Sequence, residues 1–167
     1  FSCVINIENV KNPIEVAQLL MNEDDRVLGG NGSKAYAKEN GFADYSTEIP
    51  QRRKEFEEKL KNGGKGTVGC VALDFNGKLA AATSTGGKGF EIVGRISDSA
   101  TVAGNYANSF CAVSCTGVGE DIVSNATAAK IVTRVTDGMT LESAFEKTFA
   151  ELSEIDGFAG AIAVDAE

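Results

Sequence analysis

The sequence predicts an α+β fold in which layered sheets are covered by helices. Strand and helix patterns follow one another in the second half as two strands, a gap, a strand, two helices and a strand. The chain has 167 residues, 43% of them hydrophobic, which is enough for one domain with one sizeable core. Nineteen glycines against two prolines favour tight turns and close backbone approaches.

The first elements are predicted to be short strands and helices in alternation. Residues 1–7 alternate imperfectly and indicate a strand. Asn12 as N-cap, Pro13 in the first helical position and Glu15 as the capping-box acid predict a helix that ends near residue 22.

A short strand with a Gly-rich turn is predicted over residues 27–32, and a helix over 33–40 that ends at Gly41. Residues 51–61, dense in Arg, Lys and Glu, indicate a solvated helix. Residues 62–66 have the composition of a flexible, exposed linker.

The second half begins with a predicted hairpin: a strand over 67–74, the turn Asn76-Gly77 and a return strand over 79–83. A short strand is expected within 92–98 and a buried one over 112–116, followed by a turn at 117–119. Helical spacing over 122–135 predicts one helix that ends at Gly138. Thr140 caps a second helix, and residues 158–164 form the last strand.

The charge balance bears on possible partners. A net charge of −8 and a pI near 4.7 would repel a phosphate backbone, so nucleic acid is not expected as a partner. No apolar run has the length of a membrane span, and no signal-peptide pattern opens the chain. We expect a cytoplasmic protein with no membrane association.

The four cysteines, Cys3, Cys70, Cys111 and Cys115, form no CxxC pair, and the chain has no histidine. No metal site is therefore expected. We expect reduced, buried cysteines that serve as small apolar residues, and we prefer this interpretation to disulfides. The lack of histidine also excludes Ser-His-Asp and Cys-His mechanisms, so acyl-transfer chemistry would need another base.

Thr67 offers such a base if the Gly66–Thr67 bond is cut. The freed α-amine, with an ordinary pKa of about 7.7–8.0, would stand beside the hydroxyl of the same residue as a general base. Taken alone, a threonine after a linker is more simply explained as a β-branched residue that begins a strand.

Four motifs in order favour the functional interpretation. They are GTVGCVALD from Gly66, NGKLAAATSTGG from Asn76, GRISDS from Gly94 and SCTGVGE from Ser114. From Thr67 onward the chain closely resembles the β-subunit of plant-type asparaginases, which are also isoaspartyl peptidases. Residues 1–61 resemble the latter part of that family's α-subunit more loosely.

The resemblance implies an N-terminal-nucleophile hydrolase with an αββα sandwich. Residues 1–66 would be the C-terminal part of an α-subunit with its linker, and residues 67–167 a β-subunit, the two forming one domain. Against the family pattern, N- and C-terminal portions of the fold are expected to be missing. The family's cation-binding loop is among them, so no cofactor is expected.

The resemblance also implies roles for single residues. Thr67 would be the nucleophile, exposed by self-cleavage after Gly66, and Thr85 would hydrogen-bond it. Arg95 would bind the substrate α-carboxylate in a two-pronged contact, and Asp98 the α-ammonium. The remaining roles fall on one turn: Thr116 and the Gly117 N–H would form the oxyanion hole, and Gly119 would line the pocket.

The implied activity is hydrolysis of the side-chain amide of asparagine and of β-aspartyl dipeptides, in a homo-oligomer of α/β units. Two alternatives stay open. One is a non-catalytic relative or fragment that binds an amino acid or a partner chain. The other keeps the fold but changes the substrate, as in a glycosylasparaginase or a threonine-type endopeptidase. Residues 90–92 replace the family's usual segment before Gly94-Arg95, so the pocket edge is expected to differ.

Overall fold

The computed structural model describes residues 1–51, 53–54, 66–89 and 91–166. In chain order the elements are β1 (Cys3–Ile5), α1 (Pro13–Leu20), β2 (Val27–Gly29), α2 (Gly30–Glu39), β3 (Thr67–Leu73), β4 (Leu79–Thr85), a 3-10 helix (Asp98–Ala100), β5 (Asn105–Ala107), β6 (Cys111–Gly117), α3 (Gly119–Asn125), α4 (Thr127–Thr136), α5 (Leu141–Glu154) and β7 (Ala159–Asp165). The predicted α+β class is confirmed.

The described residues form two compact units. The first comprises those of Phe1–Gly66 and Gly86–Ile96, and the second those of Thr67–Thr85 and Ser97–Glu167.

The first unit pairs β1 with β2 in parallel. Its small core consists of Val10, Val16 and Ala37, with Phe42 packed against them. Pro13 begins α1, as predicted. The capping box is wrong, because the Asn12 side chain donates to Glu15 Oε1 at 2.9 Å and caps no backbone N–H.

The Gly-rich turn predicted up to residue 32 is also wrong, because α2 already begins at Gly30. Gly30 takes a positive φ of 52°, and the buried Ser33 hydroxyl donates to its carbonyl at 2.7 Å. Gly41 ends this helix as predicted, with φ +85° and its N–H bonded to Lys38 O. The predicted helix over 51–61 and linker over 62–66 lie outside the described residues, except at 51, 53, 54 and 66.

The second unit opens with the predicted hairpin. β3 and β4 pair antiparallel from Thr67↔Thr85 to Leu73↔Leu79. At the turn, Asp74 Oδ1 accepts the N–H groups of Asn76 and Lys78 at 2.7 and 2.8 Å. These bonds lower the pKa of Asp74 and fix the turn in one geometry.

A second sheet, in the order β5-β6-β7, is antiparallel throughout. The β3–β4 hairpin packs on one face of this sheet, and α4 packs on β6. The main core lies on the helical side, where Cys111, Val113 and Cys115 meet Ile122 and Ile131. The second unit is therefore built as sheet, sheet and helices.

Three further sequence predictions are wrong. The single helix predicted over 122–135 is two helices, because Ala126 between them takes a left-handed conformation (φ 52°, ψ 41°). Residues 92–98, all of which the structure describes, contain no strand, and the unpredicted strand β5 pairs with β6. Cys70 is exposed, whereas Cys3, Cys111 and Cys115 are buried; all four are free thiols.

Candidate active site

Thr67 and Thr85 form the last cross-strand pair of the hairpin. Successive side chains of a strand point to opposite faces, so residues two apart share a face. Two positions along, Gly69 is opposite Thr83, and both face Ser114 of the second sheet. Thr67 and Thr85 therefore point toward the space between the two sheets.

This end of the hairpin is open. Thr67 is half-buried and Thr85 is exposed. The structure thus places two threonines opposite each other at an accessible strand end, where the sequence predicted the nucleophile and its hydrogen-bonding partner.

Thr116 and Gly117 are the last residues of β6. Thr116 is exposed and shares the face of Ser114, two residues before it. Gly117 has φ +140°, and a Cβ there would come within 2.6 Å of Phe158 O. Only glycine fits this position, both for its backbone conformation and for its contact with β7.

The direction of the Gly117 N–H follows from the ladder. The Val118 N–H donates to Phe158 O on the β7 side, at 2.9 Å. The Cys115 N–H donates to Gly104 O on the opposite side, at 2.8 Å. N–H groups alternate along a paired strand, so the Gly117 N–H points to the same side as that of Cys115, beyond the end of β5. Its role as an oxyanion donor stays a prediction.

Asp98 begins the 3-10 helix and is buried. Its backbone carbonyl accepts the Thr101 N–H and hydroxyl, both at 2.8 Å. Its carboxylate lies against two glycines: a Cβ on Gly104 or on Gly119 would come within 2.6 Å of a carboxylate oxygen. The loop that carries Asp98 therefore depends on both glycines.

Asp98 affects the pKa of Cys115 in the core. Burial, and then the negative charge of Asp98, raise the pKa of the Cys115 thiol to about 12. The Asp98 carboxyl group also lies next to Gly119, the first residue of α3.

Gly66 and Arg95 belong to the first unit. Gly66 is exposed, and Arg95 is half-buried after a turn in which its N–H donates to Ile92 O at 3.0 Å. The other predicted site residues all lie in the second unit; they are Thr67, Thr85, Asp98, Thr116, Gly117 and Gly119. The joint binding of one substrate by Arg95 and Asp98 stays a prediction.

Sequence reasoning missed a polar cluster beside the threonine pair. It comprises Thr83, Ser114 and Asn105. The sequence contains a signal for this cluster. Thr83 and Thr85 are two apart on one strand and share a face, and so do Ser114 and Thr116 on another. Within the described residues, no group of three or more Cys, Asp or Glu side chains is arranged to hold a metal ion.

The chain matches the asparaginase family in two segments, over residues 1–64 and 49–167. It belongs to the asparaginase family.

Curated relatives agree with this assignment. The chain is 50% identical to an isoaspartyl peptidase/L-asparaginase of Nostoc sp. over 99% of its own length and 58% of the relative's. It is 45% identical to a protein of the same name from Synechocystis sp., over 99% and 56%. A plant-type L-asparaginase of Pyrococcus furiosus is 35% identical over 86% and 54%. This asparaginase-family chain therefore spans less than two thirds of the length of the curated relatives it matches.

None of the helices in the described part of the chain has the length and apolar character needed to cross a membrane.

Proposed function

We propose that this protein is an amidohydrolase that cleaves the side-chain amide of asparagine and the β-peptide bond of isoaspartyl dipeptides. Thr67 is the nucleophile, after self-cleavage of the Gly66–Thr67 bond. The observation that carries the proposal is the register pair Thr67↔Thr85 at an accessible strand end. The names of the Nostoc and Synechocystis relatives support the substrate class.

Self-cleavage begins when the Thr67 hydroxyl attacks the carbonyl carbon of Gly66. The peptide C–N bond breaks, an ester forms on the Thr67 oxygen, and the nitrogen becomes the α-amine. Water then hydrolyses the ester and restores the hydroxyl. Thr85, opposite Thr67, accepts or donates a hydrogen bond that holds this hydroxyl in place.

Substrate hydrolysis uses the same hydroxyl. It attacks the amide carbon while its proton passes to the α-amine, which returns the proton to the leaving ammonia or amino acid. Water, deprotonated by the amine, then releases aspartate from the β-aspartyl ester. Base and nucleophile both belong to Thr67, so no cofactor takes part.

The tetrahedral oxyanion is stabilised by the Thr116 hydroxyl and the Gly117 N–H. Removing one donor of this kind typically costs about 2.7–4 kcal/mol in the transition state. Asp98 binds the substrate α-ammonium, Arg95 its α-carboxylate, and Gly119 lines the pocket next to Asp98.

The test compares the unaltered chain with Thr67→Ala and Thr67→Ser on asparagine, a β-aspartyl dipeptide and a glycosyl-asparagine. We expect hydrolysis of the first two, none by Thr67→Ala, and a residual rate with Thr67→Ser, because serine keeps both groups. Activity retained by Thr67→Ala would refute the assignment. A preference for glycosyl-asparagine would replace the substrate class.

We also propose that the enzyme acts in the cytoplasm as a homo-oligomer. The four free cysteines support the first part, because disulfides are rare in the cytoplasm, and the family resemblance supports the second. Light scattering on the purified protein measures the oligomeric state, and a monomeric mass would contradict this part.

A further inference from the structure

Three polar side chains form a hydrogen-bonded cluster between the two sheets of the second unit. Ser114 Oγ lies 2.7 Å from Thr83 Oγ1, and Thr83 donates to Asn105 Oδ1 at 3.1 Å. The second bond uses the Thr83 proton, so Ser114 is the donor in the first. Ser114 is only 3% exposed, and Thr83 and Asn105 are half-buried.

The backbone is shaped to make this cluster possible. Asn105 and Ser114 are cross-strand partners in β5 and β6, and Thr83 reaches them from the other sheet. Opposite Thr83 lies Gly69, where a Cβ would come within 3.0 Å of the Ser114 Cβ and closer still to its Oγ. Because Gly69 has no side chain, β3 can pack closely against the cluster.

The cluster lies next to both halves of the proposed site. In the hairpin, the pair Gly69↔Thr83 lies two positions from the pair Thr67↔Thr85 and on the same face. In the second sheet, Ser114 precedes Thr116 by two residues on the same face. The Thr83–Ser114 bond thus links the strand that carries Thr85 to the strand that carries the oxyanion donors.

We propose that Thr83, Ser114 and Asn105 are positioning residues that set the spacing between Thr67 and the Thr116–Gly117 donors. This inference rests on the proposed function. Hydrogen bonds of hydroxyl and amide groups are directional, so they fix one sheet against the other along the strand direction. A displacement of about 1 Å at reacting groups costs as much as about a hundredfold in rate.

The test is the near-isosteric Thr83→Val, with Thr83→Ser as the rescue variant. Thr133→Val, the same change at an exposed site on α4, is the matched control. We expect Thr83→Val to slow self-cleavage and lower kcat by about tenfold to a hundredfold, with KM within about threefold. Thr83→Ser and Thr133→Val should behave like the unaltered chain.

A second readout does not depend on activity. The amide NMR signal of Gly117, on the sheet opposite the substitution, should move in Thr83→Val and return in Thr83→Ser. A Thr83→Val protein that is folded, cleaves at the normal rate and leaves this signal in place would overturn the inference.

If the unaltered chain never cleaves, the proposed function fails, but the Gly117 signal still tests the positioning role. A signal that moves in Thr83→Val and returns in Thr83→Ser supports that role. A signal that does not move in Thr83→Val overturns it. If Thr83→Val does not fold, Ser114→Ala, which removes a single oxygen, takes its place with the same two readouts and the same criteria.

Discussion

Among single residues, the four cysteines differ in exposure and in pKa because their surroundings differ. Cys111 and Cys115 face the helical core, and Cys70 lies on the exposed face of β3. Burial, followed by the charge of Asp165, raises the pKa of Cys111 to about 11, and that of Cys115 rises to about 12. Burial also raises the pKa of Cys3. Thiolate is the reactive form, so these three thiols are protected twice, by access and by protonation.

We therefore expect only Cys70 to react rapidly with iodoacetamide in the native protein at pH 8. Mass spectrometry should show one fast label, and Cys70→Ser should remove it. In denaturant all four cysteines should react. Rapid labelling of Cys111 or Cys115 in the native protein would contradict the described core.

Gly117 is the residue at which fold and proposed chemistry meet. Its positive φ and its contact with Phe158 O serve the packing of β6 on β7. The same geometry turns its N–H beyond the end of β5. A sequence pattern identifies such a glycine, but only the ladder shows where its N–H points.

At the scale of elements, α3 and α4 are separated by one strained residue. Ala126 is in the left-handed region, which costs an L-residue roughly 1–2 kcal/mol. The break is held by long-range contacts: the Ala128 N–H donates to Ala103 O at 2.7 Å, and the buried Asn125 amide donates to Thr148 O at 3.3 Å. Neither contact is visible in helical spacing, so the sequence predicted one helix.

Ala126→Gly should raise the free energy of unfolding by about 0.5–1 kcal/mol, because glycine adopts this conformation without strain. Ala129→Gly, within α4, is the matched control and should lower it by about 1 kcal/mol. Urea unfolding measures both. A destabilised Ala126→Gly would show that the break is not strained.

The pair α4 and α5 is joined by a charged network. Glu151 accepts from Lys130 Nζ at 2.7 Å and from Arg134, which also donates to Thr148 Oγ1 at 2.6 Å. These cations hold the pKa of Glu151 below its usual value. A depressed folded pKa stabilises the protein above the unfolded value of about 4.3, and the stabilisation is lost as the pH falls through the folded pKa.

Glu151→Gln should cost about 1–2 kcal/mol of stability at pH 7, a moderate amount because the group is partly exposed. The difference in Tm from the unaltered protein should shrink as the pH falls below about 4. The exposed Glu154→Gln on the same helix is the control and should change little. A pH-independent difference would mean that packing, not charge, explains the loss.

At the scale of the whole molecule, local patterns predicted what local physics controls. The hairpin turn, the Thr140 cap of α5 and the strand β6 follow from turn chemistry, capping and apolar runs. Strand β5 has only three residues, and its pairing with β6 stabilises it. No local sequence pattern therefore predicts it. The Thr83–Ser114 bond joins residues 31 apart, which places it beyond any periodicity argument.

The candidate site divides in the same way. The motifs predicted eight site residues. The second unit holds six of them, Thr67, Thr85, Asp98, Thr116, Gly117 and Gly119, and the first unit holds Gly66 and Arg95. The packing of Asp98 against Gly104 and Gly119 joins residues that no periodic pattern relates, so only the structure shows it.

In the proposed mechanism, Thr67 becomes a free N-terminal nucleophile by its own chemistry. Intact-mass spectrometry of the purified 17.4 kDa chain during incubation at neutral pH tests this most directly. We expect two products, residues 1–66 and residues 67–167, from the unaltered chain and a single intact mass from Thr67→Ala. An unaltered chain that keeps its full mass, or a Thr67→Ala chain cut at the same bond, would contradict it.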